Sequence, residues 1–260
     1  MCRVRVLLTL LTAILAGLLL AVPASAATGI RYVALGDSYS SGTGTGQYDS
    51  ASGSCNRSSL AYPSLWSSAH RVAAFSFVAC SGATTDDVLR TQVSALTAST
   101  TLVTVSVGGN DVGFGDVVTT CTIGGDQDCA NAVQKAETAV RNTLPAKLNR
   151  TYAAIRHAAP SAKVVVIGYP RLFATGICWL SAAKRTTLNS AADLLATTIS
   201  GRAAAAHFTF VDGRAAFAGH GICAGTPWIN GVTWPVSDSY HPNRAGHAKG
   251  YLPALDQVTG

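Results

Sequence analysis

Short runs of β-branched and apolar residues alternate along this chain with longer Ala-rich stretches. The runs at 32–35, 75–79, 102–107, 163–168 and 208–211 predict five strands. The segments 131–158 and 181–206 have the length and alanine content of crossover helices, with Pro145 expected to kink or break the first. Strand–helix alternation of this kind marks βαβ units, hence a parallel sheet flanked by helices. No internal repeat, low-complexity tail or Pro/Ser linker divides the pattern, so a single α/β domain is expected over 27–260.

The first 26 residues carry a different signal. Arg3 and Arg5 form a charged start, positions 6–20 an apolar run, and Ala24-Ser25-Ala26 a small-residue cleavage site. The run falls short of the roughly 20 residues of a membrane span, and Pro23 follows it. A cleaved signal peptide over 1–26 and an exported product are therefore expected. Beyond it stand Cys55, Cys80, Cys121, Cys129, Cys178 and Cys223, and an even cysteine count in an exported chain predicts disulfides. Sequential pairing (55–80, 121–129, 178–223) is expected, with the middle pair clipping a Gly/Asp-rich loop. Their spacing does not suit zinc.

Composition narrows the chemistry. Charged residues make up only 12% of the chain and apolar ones 48%, which excludes disorder. The net charge is +6, and loss of Arg3 and Arg5 with the leader lowers it by two. The basic residues form no run, so nucleic acid is not expected as a partner. Glu137 is the sole glutamate, which rules out a mechanism built on two Glu side chains. Zinc-protease, C-x-x-C and P-loop motifs are absent from the sequence. Neither a metal nor an organic cofactor is expected.

The polar, Gly-containing clusters fall just after predicted strands: Gly36-Asp37-Ser38, Cys80-Ser81-Gly82 and Gly108-Gly109-Asn110-Asp111. Parallel sheets bind ligands outside the carboxyl ends of their strands, so these segments, with the C-terminal Asp238-Ser239-Tyr240-His241-Pro242, are expected to share one rim. Ser38 is then a candidate nucleophile, although a serine in that place also serves as a helix cap. Of six histidines only His241 combines a polar turn, an acid three positions upstream and a proline after it, the setting of a general base with an orienting partner. The Asn110 amide, the Gly82 N–H and the Ser38 N–H are candidate oxyanion donors, with a simple turn role as the alternative for the first two. Asp37 and Asp111 read as scaffold that holds turns through backbone N–H groups. Of Trp66, Trp179, Trp228 and Trp234, the last two, in the loop leading to His241, are the better candidates for lining an acyl groove.

Together the four segments resemble the SGNH, or GDSL, hydrolase superfamily, in the form of exported actinobacterial lipases and esterases of the Streptomyces type. The resemblance rests on the block from Ala34 to Gly42, on Gly82, on Gly108-Gly109-Asn110-Asp111 and on Asp238-Ser239-Tyr240-His241, and it spans nearly the whole mature chain. It implies a flavodoxin-like three-layer fold and a serine ester hydrolase with Ser38 as nucleophile, His241 as general base and acid, and Gly82 and Asn110 at the oxyanion. It leaves two orienting groups for His241: the Asp238 carboxylate, or the backbone carbonyl of Ser239. Lipid or small acyl esters are the implied substrates, with phospholipase A1 and carbohydrate acetylesterase as neighbouring activities and a non-catalytic binding module as the rival outside the class. A monomer making transient contact with lipid surfaces is expected.

Overall fold

The computed structural model describes residues 29–260, and the expected leader at 1–26 lies outside the described residues. In chain order the regular elements are β1 (Ile30–Gly36), α1 (Ser38–Ser41), α2 (Tyr62–Ala69), β2 (Val72–Phe77), α3 (Thr85–Asp87), β3 (Leu102–Ser106), α4 (Phe114–Ile123), α5 (Asp126–Asn142), α6 (Leu144–Ala158), β4 (Lys163–Ile167), α7 (Ala182–Ala205), β5 (Thr209–Val211), α8 (Gly213–Ala216) and α9 (Leu252–Thr259). All five strands pair in parallel, in the order β2-β1-β3-β4-β5. This is the doubly wound, flavodoxin-like arrangement, in which strand order reverses between β1 and β3.

The apolar runs become central strands because helices cover both sheet faces. Every residue of β3 is buried, as are Val164 to Ile167 of β4. Register is tight: Tyr32 lies beside Leu102, Val103 beside Val164, and Val166 beside Phe210. Helices α5, α6 and α7 pack on one another, while α2 packs against α9.

Two sequence expectations shift, and a third, the break near Pro145, is met. The second strand runs over Val72–Phe77 rather than 75–79. It is an edge strand, and Ala73 and Ala74 are exposed, so hydrophobic contrast does not mark its start. Its expected end departs from regular pairing without leaving β1: the Val78 and Ala79 N–H groups both donate to the Ala34 carbonyl, at 3.0 and 3.2 Å, and Cys80, bonded to Cys55, donates its N–H to the Gly36 carbonyl at 3.0 Å. The long helix at 131–158 is two helices broken at Thr143, with Pro145 in the first turn of the second, where its missing N–H costs nothing. The first starts early, at Asp126, with Asp126 and Asp128 favourably placed at the positive end of its dipole.

All three cysteine pairs form as expected: Cys55–Cys80, Cys121–Cys129 and Cys178–Cys223. The middle pair clips no loop, however. Cys121 lies in α4 and Cys129 in α5, so the bond staples two helices across the two-residue joint Gly124-Gly125.

Candidate active site

The site begins where β1 ends. Gly36 has φ +124, and a Cβ there would come within 2.4 Å of the Ser106 carbonyl oxygen, so only glycine lets the chain turn this tightly against β3. Asp37 then caps α1, its carboxylate accepting the Tyr39 N–H at 3.0 Å. The same carboxylate accepts the Ser106 hydroxyl at 2.8 Å and the Tyr169 hydroxyl. Burial pushes the Asp37 carboxyl up to about 6, against the hydrogen bonds from Tyr169, Ser106 and the Tyr39 N–H, which favour its charged form. Because Asp37 does the capping, the Ser38 hydroxyl is released from that role and faces the pocket at the first position of the helix.

His241 meets it from the other end of the chain. Its Nε2 lies 2.8 Å from Ser38 Oγ, and its Nδ1 lies 2.9 Å from the Ser239 carbonyl oxygen. That carbonyl can only accept, so Nδ1 carries the proton and Nε2 is left free to take one from the serine. Tyr240 makes this possible by turning the backbone through φ +62, a left-handed conformation that costs a non-glycine residue roughly 1–2 kcal/mol. Two bonds hold it there: the Tyr39 hydroxyl donates to the Tyr240 carbonyl at 2.7 Å, and the Tyr240 N–H donates to the Asn230 carbonyl at 2.9 Å.

Among the described residues no hydrogen bond joins the Asp238 carboxylate to the imidazole. Its buried carboxylate accepts the Tyr48 hydroxyl at 2.6 Å, and its carbonyl accepts the Asn230 amide at 3.1 Å. Of the two orienting groups the sequence leaves open, the geometry favours the Ser239 carbonyl, because a short 3-10 turn over Val236–Asp238 points the carboxylate back toward Tyr48. Burial lowers the His241 pKa to about 4, with the Ser239 carbonyl and the charge of Asp238 partly opposing it.

The expected donors gather on the same side. Gly82 sits at φ +80, and a Cβ there would meet nothing within 4 Å, so the position needs glycine for its backbone conformation rather than for space. Neither the Ser38 N–H nor the Gly82 N–H donates to a backbone carbonyl among the described residues. The Asn110 side chain donates one hydrogen to the Ala83 carbonyl at 3.0 Å, which fixes the amide beside the Gly82 turn and leaves its second hydrogen for a ligand. Asp111 strengthens the join by accepting the Thr85 N–H at 2.9 Å and the Lys147 ammonium at 3.1 Å. Asp37 and Asp111 thus hold turns, as expected.

Two cavities meet at Ser38 and Asn110. One, of about 400 Å³, is also lined by His241, Gly82, Val232 and Val236. The other, of about 70 Å³, runs between α5 and α7 and reaches neither His241 nor Gly82. Trp228 and Trp234 line neither cavity. Trp228 is spent in a flat stack on His220, ring centroids 3.5 Å apart, and Trp234 is exposed, in the segment whose Val232 and Val236 line the wide cavity. Trp66 is a core residue. Tyr39 and Tyr48 were not legible as site residues: their contacts with the turn before His241 join positions about 200 apart, and no local signal announces them. Among the described residues no cluster of His, Cys, Asp or Glu is arranged to hold a metal ion.

Residues 34–249 match the model of the GDSL-like lipase/acylhydrolase family. The chain belongs to that family. Lipase 1 of Streptomyces coelicolor is 49% identical to this GDSL hydrolase over 247 residues, 94% of this chain and 92% of the relative. Among solved structures, phospholipase A1 from Streptomyces albidoflavus NA297 superposes with a TM-score of 0.86 at 50% identity, over 88% of this chain and 99% of that one. The extracellular lipase of Streptomyces rimosus gives a TM-score of 0.86 at 48% identity, over 89% of this chain and all of its own. The GDSL hydrolase is accordingly a carboxylic ester hydrolase with the three-layer α/β fold of those lipases.

Proposed function

We propose that this is a secreted lipase or esterase that cleaves acyl esters through an acyl-enzyme on Ser38. Ser38 Oγ attacks the ester carbonyl as its proton passes to His241 Nε2. The tetrahedral oxyanion rests on the Ser38 and Gly82 N–H groups and the Asn110 amide. The intermediate then expels the alcohol, which takes the proton from Nε2, and a water activated by the same nitrogen releases the acid and restores Ser38. The Ser239 carbonyl steadies the imidazolium in both half-reactions, so a dyad with a backbone partner stands in for a Ser-His-Asp triad.

The observation that carries this reading is the 2.8 Å contact between His241 Nε2 and Ser38 Oγ, with Nδ1 held from behind. Lipid esters, phospholipids among them, suit the 400 Å³ cavity and the activities named for the relatives. Transient contact with lipid surfaces is supported by exposed Ile123, Val232, Trp234 and Val236 around that cavity, and export by three disulfides. A monomer is sufficient, because every group of the site comes from one chain. Ser38→Ala is expected to lower turnover of a chromogenic acyl ester by at least about 10³-fold with an unchanged melting temperature. Full activity in that variant overturns the proposal.

A further inference from the structure

Ester cleavage is not symmetric about its carbonyl carbon, and neither is the space around Ser38. Building on the acyl-enzyme reading, we propose that the narrow apolar cavity between α5 and α7 seats the acyl chain, and that the wide cavity takes the alcohol. The departing oxygen must receive its proton from His241 Nε2, so the alcohol lies on the imidazole's side, and His241 lines the wide cavity alone. With the carbonyl oxygen held at Asn110, the acyl substituent leaves the carbonyl carbon in the remaining direction. The opening there is the 70 Å³ cavity, where Val140, Leu188, Ala192 and Leu195 offer no polar side chain.

Its size sets what it holds. The cavity is roughly half of the ~150 Å³ apolar space that admits a benzene ring, so about three carbons fill it. Glu137 also lines it; its side chain is 29% exposed and binds Arg141 at 3.2 Å, so a longer chain meets a charged group and water beyond the apolar walls. The carbons next to the carbonyl are thus gripped, and the rest of the chain is not.

The test uses acetate, butanoate and octanoate esters of one alcohol, then butanoate esters of several alcohols, on the wild type, Ala192→Leu and Val236→Trp. Ala192→Leu fills the narrow cavity. Its kcat/KM for butanoate and octanoate relative to acetate is expected to fall by about tenfold or more, with the ranking of alcohols kept. Val236 lines the wide cavity and is 63% exposed, so Val236→Trp folds readily and should re-rank the alcohols with the acyl profile kept. An unchanged acyl profile in Ala192→Leu, or an acyl profile reshaped by Val236→Trp, overturns the proposal. Should Ala192→Leu fail to fold, Val236→Trp decides alone. Failure of the acyl-enzyme reading shows separately, as hydrolysis surviving Ser38→Ala.

Discussion

Replacing Asp238 by asparagine separates two accounts of His241 that differ by orders of magnitude. If the carboxylate oriented the imidazole as a triad acid does, its loss would cost about 10⁴ in turnover through the wrong tautomer. In the structure Nδ1 bonds to the Ser239 carbonyl at 2.9 Å, and the carboxylate bonds to the Tyr48 hydroxyl at 2.6 Å. Asparagine keeps an oxygen for Tyr48, so only the charge is lost. That charge supports the protonated ring, behind the Ser239 carbonyl in weight, and a charge–charge interaction of about 1 kcal/mol amounts to somewhat less than tenfold in rate. We therefore expect kcat/KM to fall no more than about tenfold. Stability should fall by about 1 kcal/mol, the difference between a charge-assisted and a neutral hydrogen bond, or about 2–4 °C in melting temperature for a domain of this size. Tyr48→Phe leaves the buried carboxylate without its hydroxyl donor and should cost more, about 1.5–3 kcal/mol. The assay pairs initial rates on a soluble acyl ester with thermal unfolding followed by circular dichroism. A drop near 10⁴ in Asp238→Asn with the melting temperature intact would refute the reasoning and return the carboxylate to the imidazole.

Three further outcomes are expected. Asn110→Ala should reduce kcat by about 10²–10³ as one oxyanion donor is lost, and a kcat within threefold of wild type would remove the amide from that role. The general base must be neutral to act, and burial lowers the His241 pKa to about 4; kcat/KM should therefore hold as pH falls through 6.5 and decline only toward 4, whereas an acid limb centred at 6.5 or above contradicts this. Cys178→Ser with Cys223→Ser opens a loop closed over 45 residues and should cost about 4 kcal/mol on the loop-entropy model, read as a lower denaturant midpoint with a somewhat larger m-value, because the opened loop lets the unfolded chain expose more surface.

Sequence alone determined what depends on neighbours along the chain. The five strands follow from short apolar runs, the break near Pro145 from the missing N–H, and the gathering of Ser38, Gly82, Asn110 and His241 from the rule that loops after parallel strands share one rim. Even the disulfide pairing matched its simplest reading. Tertiary structure decided what depends on direction in space. A residue three before a histidine can face toward the ring or away from it, and the turn at Tyr240 with the Tyr48 hydroxyl settles that the Asp238 carboxylate faces away. The tryptophans follow the same logic: indole is apolar wherever it stands, and only packing tells that Trp228 is consumed by His220 while aliphatic side chains line the cavities. The division of space at Ser38 has no sequence signature either, because a cavity is the gap left between α5 and α7 once both have docked, and gaps are properties of packing rather than of any residue.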